Sequence, residues 1–207
     1  MPNARRPALV FWFAAAPALA AEQDEPEGLR PVAALGFGYA FPFGNVSNTD
    51  NAKMKSGVPL HLELGVSIRR AWHLVAYGEY AFLDGSLQCP GGVNCTGHAI
   101  RIGGQIQWWA DVFSGQRTFI GLGGGWEQHT FGSGDDSLAW SGFEGVFSAA
   151  VLFRLTPWLF LGPYTSLSVG SFSKLTATVN GSNGQETIRN QSLHCWWVLG
   201  FRFDVTP

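Results

Sequence analysis

The sequence predicts an all-β protein: an eight-stranded antiparallel up-and-down transmembrane β-barrel. Eight stretches alternate apolar with small or polar residues, the period of a strand whose two faces meet different surroundings. The links between these stretches alternate short and long without exception. The 207 residues are 14% charged and 14% aromatic and include 27 glycines, a composition suited to glycine-punctuated strands and poorly suited to a helical enzyme. A net charge of −2 and the lack of any Lys/Arg-rich run exclude nucleic acid as a partner.

Residues Met1 to Ala20 carry Arg5 and Arg6, an apolar stretch from Ala8 to Ala16, and the small-residue triplet Ala18-Leu19-Ala20. This is the pattern of a cleaved secretory signal, and the apolar run is too short to span a bilayer as a helix. Residues 21–30, rich in Glu and Pro, are expected to form a short flexible leader. Residues 31–207 form the barrel domain, with no second domain expected after it.

The first strand is expected over Val32 to Phe43, with Leu35, Phe37, Tyr39 and Phe41 on one face and Ala34, Gly36, Gly38 and Ala40 on the other. The second, Val58 to Arg70, shows the clearest alternation, with Leu60, Leu62, Leu64 and Val66 against His61, Glu63 and Arg69. The third, Trp72 to Leu83, has weaker parity, resolved by turning Glu79 inward and Leu74, Tyr80 and Phe82 outward. His98 to Asp111, Arg117 to Thr130, Trp140 to Arg154, Trp158 to Ser171 and Ser192 to Val205 complete the set. Phe119 breaks the alternation of the fifth strand, and Phe160 falls on the polar side of the seventh.

Tight links at Arg70-Ala71, Val112 to Gln116 and Leu155 to Pro157 alternate with polar links at Gly44 to Gly57, Asp84 to Gly97, Phe131 to Ala139 and Phe172 to Gln191. Short turns at one end and long loops at the other are the asymmetry of a membrane barrel. The same alternation fits a soluble, lipocalin-like carrier if the apolar face points inward. Charge decides between them. The more polar parity is mostly Gly, Ala and Ser, whereas a soluble surface carries about 25–35% charged residues, so the apolar face must point out. Aromatics at the strand ends then make two girdles, with Trp72, Trp108, Phe119, Trp158 and Phe203 at the short-turn rim and Phe41, Phe43, Phe82, Trp126 and Trp140 at the other.

The export signal, the eight strands, the alternating links and the closing run Val198 to Val205 together resemble the small bacterial outer-membrane barrels of the OmpA/OmpX kind. The resemblance covers Val32 to Val205 and implies the bacterial outer membrane as location, membrane lipid as surroundings and the barrel-assembly machinery as a partner during biogenesis. In that family a glycine, followed three and five positions later by apolar or aromatic residues, is an assembly signal in the last strand. Gly200, Phe203 and Val205 match it, although the family usually ends on an aromatic.

An eight-stranded interior is just wide enough for side chains to fill it. The inward charges include Glu63, Glu79, Arg101, Glu127, Glu144, Arg154 and Arg202, which in a confined, poorly solvated space must pair, and a polar plug is expected around Arg101. Small residues turned inward on the first and fifth strands, including Gly121, Gly123 and Gly125, leave room for the longer side chains of the others, the favoured reading, or for a narrow water-filled cavity. Cys89 and Cys95 bracket a turn-rich segment and are expected to form a loop disulfide, because a metal site would need more ligands than the nearby His98. Cys195 is left over. No cofactor is called for.

The role expected from these features is structural, or an interaction with an extracellular ligand through polar loops such as Asn45 to Asn51 and Asn180 to Glu186. A soluble secreted small-molecule carrier and a lipid-modifying barrel enzyme are the competing readings. The second would draw on His129, Asp135, Asp136 and Ser137, which sit in no recognisable nucleophile motif, so no enzymatic activity is expected.

Overall fold

The computed structural model describes residues 28–44, 54–69, 71–88, 94–133, 136–179, 181–189 and 191–206, with backbone alone at 85–88 and 94–95. The signal segment, most of the leader, Cys89, Asp135, Asn180 and the loop Asn45 to Asn51 lie outside the described residues, as does the side chain of Cys95. Nine strands are present among the described residues: β1 (Arg30–Gly44), β2 (Gly57–Ile68), β3 (Trp72–Gln88), β4 (Asn94–Phe113), β5 (Gln116–Ser133), β6 (Asp136–Arg154), β7 (Leu159–Val179), β8 (Ser182–Thr187) and β9 (Leu193–Val205). Each of β1 to β6 pairs antiparallel with the next in sequence, β6 pairs with β7, and β7 pairs with β9. β9 returns to β1 in a register running from Ala33 opposite Val205 to Gly44 opposite His194, which closes the ring. Closure removes the free edges that an open sheet would expose.

The ninth strand corrects the sequence reading, in which Phe172 to Gln191 is a loop. β7 continues to Val179, and β8 returns along it with Val179 opposite Ser182. β8 and β9 then descend the same edge of β7, so that together they are the eighth strand of the barrel, interrupted at residues 188–192. The amide of Ile188 still bonds the carbonyl of Ser173 at 2.9 Å across the interruption. The reason is local: Leu175-Thr176-Ala177-Thr178-Val179 is a β-branched, alternating run, and Gly181 has the positive φ of 76° that the turn requires. Within the expected loop Phe131 to Ala139, residues 131–133 and 136–139 are likewise strand, with Ser133 opposite Asp136.

At the opposite end the turns are short, as read. Gly115, at φ 81°, lies between the paired Phe113 and Gln116. Thr156 Oγ1 accepts from the amide of Leu159 at 3.1 Å and holds the β6–β7 link. Arg69 makes the β2–β3 turn at φ 50°, a left-handed conformation unusual for a side chain, and is exposed there instead of facing the lumen as expected.

The outer wall is apolar. Leu60, Leu62 and Leu64 of β2, Ile100, Ile102 and Ile106 of β4, and Leu122, at 68% exposure, on β5 all project from it. The alternating residues are buried inside, among them His61, Glu63, Arg101 and Gln105. β3 proves fully regular, with His73, Val75, Tyr77 and Glu79 inward; apolar Val75 and Tyr77 are what blur its parity in the sequence. Two girdle assignments are corrected. Phe119 and Trp140 are buried in the lumen, where Phe119 stacks near Trp109 at 4.7 Å and Trp140 meets Phe131 at 5.9 Å. An aromatic at a strand end satisfies either an interface or a plug, and its parity with Glu127 or Glu144 is what selects the plug.

Candidate functional site

The lumen is layered. The buried apolar residues form one cluster, in which Trp109, Phe119, Leu152 and Phe160 lie toward the short-turn end and Leu83, Phe131, Trp140, Phe172 and Trp196 toward the other, with Leu138, Leu175 and Ile188 packed against it. Between these two ends lie the buried charges. Burial of an unpaired charge costs several kcal/mol, so the pairing decides whether the interior is stable.

The first group centres on Arg202 of β9. Its two terminal nitrogens donate to both oxygens of Glu63 at 2.8 and 2.7 Å, and Nε donates to Asp204 at 2.7 Å. The fork-to-fork geometry is the strong form of this pair. Its guanidinium also lies 4.6 Å over the ring of Phe119, so the aromatic that broke the sequence pattern forms part of the arginine's seat. Gln107 donates a further bond to Glu63 at 2.7 Å.

His61 links this group to the next. Its Nε2 lies 2.9 Å from Glu63 and its Nδ1 3.2 Å from Glu79, so the imidazole stands between two carboxylates. Arg101 of β4 then donates to Glu79 at 2.7 Å and through Nε and Nη2 to Glu144, which also accepts from Tyr77 at 3.0 Å. A continuous chain from Asp204 to Tyr77 thus ties β9, β2, β3, β4 and β6 to one another across the interior.

The space for it comes from glycine. A Cβ at Gly125 would lie 2.4 Å from the Tyr77 hydroxyl, and one at Gly121 would lie 2.6 Å from Ser148 Oγ, which donates to Gln105 at 2.8 Å. The small inward residues of β5 are occupied by side chains of its neighbours.

Glu127 is separate. It stands opposite Arg101 in the β4–β5 ladder, but its carboxylate meets imidazoles: His194 Nε2 at 2.6 Å and His129 Nε2 at 3.5 Å. Phe172 stacks on His194 at 4.2 Å. Nδ1 of His194 and Nε1 of Trp196 have no hydrogen-bond partner among the described residues.

Of the charges expected in the lumen, Glu63, Glu79, Arg101, Glu127, Glu144 and Arg202 are buried there. Arg154 is not among them: it lies exposed at the last residue of β6, with its guanidinium 5.5 Å over Phe160 at the lumen mouth. A long side chain at a strand end reaches water while its stem covers apolar surface, so pairing is not forced on it. His61, Tyr77, Gln107 and Asp204 complete the network, and His194 holds Glu127. Tyr77 is the one that the sequence hid, although it shares the parity of Glu79. His129 points into this interior, away from the rim residues Asp136 and Ser137, so the set required for serine activation is not assembled among the described residues. Gly200 faces inward opposite Gly38, and Phe203 and Val205 face outward.

A search of solved structures finds the same architecture in neisserial surface protein A, with a TM-score of 0.63 at 10% identity over 87% of this chain and 100% of that one. The chain has the fold of the small bacterial outer-membrane β-barrels. The outer-membrane protein AlkL, determined in lipid bilayers, aligns with a TM-score of 0.50 at 10% identity, over 91% of this chain and 96% of that one. Scans against protein families and curated proteins find no match. At these identities the likeness is one of fold.

Proposed function

We propose that the protein is a bacterial outer-membrane β-barrel with a structural or surface-interaction role, whose lumen is sealed by its own ion pairs. The observation that carries this reading is the opposition of the two faces: the outer wall is apolar on every strand of the ring, and the interior buries Arg101 and Arg202 with their carboxylates. A charge facing lipid near the bilayer midplane costs roughly 2–4 kcal/mol, so this sequence tolerates a membrane around it and charges only inside. A soluble carrier of the lipocalin kind needs the reverse arrangement and an apolar cavity.

The same reading gives the N-terminal segment the role of an export signal, and makes Gly200, Phe203 and Val205 the signal read by the assembly machinery. The strands that rise past the rim, β5 to β8, would carry any contact with an extracellular partner. The reading assigns no chemistry to the buried carboxylates, which are held by arginine and histidine.

The test is electrophoretic mobility of the detergent-purified protein with and without boiling, followed by planar-bilayer recording. A mobility shift with no conductance above the empty bilayer is expected. A protein soluble without detergent would overturn the membrane assignment, and a steady ohmic channel would overturn the seal.

A further inference from the structure

The lipid-facing wall has a groove of about 380 Å³ lined by Phe43, Phe147, Thr165, Leu167 and Trp197. This volume lies within the roughly 300–1,000 Å³ of small-molecule sites. The groove crosses β6, β7, β9 and the upper end of β1, where Leu167 stands opposite both Phe147 and Trp197. Thr165 makes the depression, being the small residue among large ones. Its polar atom is used up: Oγ1 accepts from Trp197 Nε1 at 2.9 Å and donates to the carbonyl of Val198 at 3.0 Å. The floor therefore offers apolar surface.

Two cations stand above it. Trp140 is buried and pairs with Leu175, which packs on the lumen cluster, so the neighbouring Lys174, opposite Ser141 and Thr187, is directed outward and is exposed. Arg189, in the interruption between β8 and β9, is exposed on the same edge. Neither is engaged with another described residue. Lys174 follows Leu167 by seven residues, about 23 Å along the strand at ~3.3 Å per residue. With the strand tilted at ~40°, that is about 18 Å along the membrane normal, the distance from the middle of a bilayer to its headgroup region.

We propose that this groove, with Lys174 and Arg189, binds an anionic phosphate-bearing lipid of the surrounding membrane. The acyl chain lies in the groove and the phosphate meets the two cations. Burial from water supplies no selectivity inside a bilayer, because neighbouring lipid is as apolar as the groove. Selectivity comes from the fixed walls and from charge. The inference rests on the membrane reading above, and the experiment separates the two.

The protein in detergent micelles is offered equal amounts of dimyristoyl phosphatidic acid and dimyristoyl phosphatidylcholine, and the bound lipid is counted by native mass spectrometry. At about 1 kcal/mol per surface cation, wild type should prefer phosphatidic acid by about tenfold or more. Lys174→Glu with Arg189→Glu should keep bound lipid but lose the preference, and Thr165→Trp, which fills the groove, should lose bound lipid of both kinds. Thr165→Leu is the milder substitution if the tryptophan prevents folding. Equal binding of the two lipids by wild type, or a preference that survives charge reversal, overturns the site. Undiminished lipid binding by a folded Thr165 variant overturns the groove. The mobility shift on boiling is read on every sample: its absence in wild type sinks the membrane barrel itself, and its presence with no lipid preference sinks only this site.

Discussion

Two parts of the same interior handle buried carboxylates differently. Around Arg101 and Arg202, the carboxylates Glu63, Glu79 and Glu144 meet a guanidinium and at least one further donor, and His61 joins the two groups. Around Glu127 no guanidinium bonds the carboxylate among the described interactions; it meets two imidazoles, and the rings of Phe172 and Trp196 pack on the imidazole of His129. The difference teaches where stability resides. The guanidinium groups neutralise several acids at once and bridge non-adjacent strands, so their loss strands charges that cannot reach water, whereas the imidazole of His194 can donate to Glu127 whether or not it carries a charge.

The largest expected effect follows from breaking the first group. Arg101→Met leaves Glu79 and Glu144 buried without their common partner and should lower the unfolding free energy by about 3–5 kcal/mol. Urea titration in lipid vesicles, followed by tryptophan fluorescence, measures it; a loss under 1 kcal/mol would show that the network is incidental.

Next in size is a change on the opposite face of β5. Leu122→Arg places a charge on the lipid side and should cost about 2–4 kcal/mol in vesicles. The same titration reads it, and the cost should shrink when the variant is studied in detergent near the micelle surface.

Glu127→Gln should cost less, about 1–2 kcal/mol, because the amide still offers His194 an acceptor. A cost equal to that of Arg101→Met would erase the distinction between the two parts. Smallest of all is a change outside the network: Arg69→Gly should stabilise by about 0.5–1 kcal/mol, since glycine takes a φ of 50° without the strain a side chain meets. A destabilisation at that position would mean that the exposed arginine holds a contact of its own.

The legibility of the sequence follows the same division. β2 could be read directly because Leu60, His61, Leu62 and Glu63 alternate extremes of polarity, and the wall assignment followed from such strands. β3 was harder, since inward Val75 and Tyr77 look like outward residues until the partnership of Tyr77 with Glu144 is seen. The sequence does not separate Phe119 and Trp140 from interfacial aromatics, because a side-chain-filled lumen needs aromatic volume as much as an interface does. The hairpin of β7 and β8 is hidden in the sequence because its return strand, β8, is polar on both faces, and a strand outside the membrane has no lipid to impose a pattern. Pair identities, such as Arg202 with Glu63 across β1, depend on stagger between strands, which no single strand's sequence carries.

The central claim is that the apolar parity faces lipid and the ionic parity faces a sealed interior. The most direct measurement is a spin-label scan of β4 in vesicles, after the three cysteines are replaced by serine, with labels placed singly at Ile100, Ile102, Ile106 and Trp108. The account predicts that all four labels are relaxed by dissolved oxygen and shielded from a water-soluble nickel complex, most strongly toward the middle of the strand. Ready access of the nickel complex to all four would place this face in water and contradict the account.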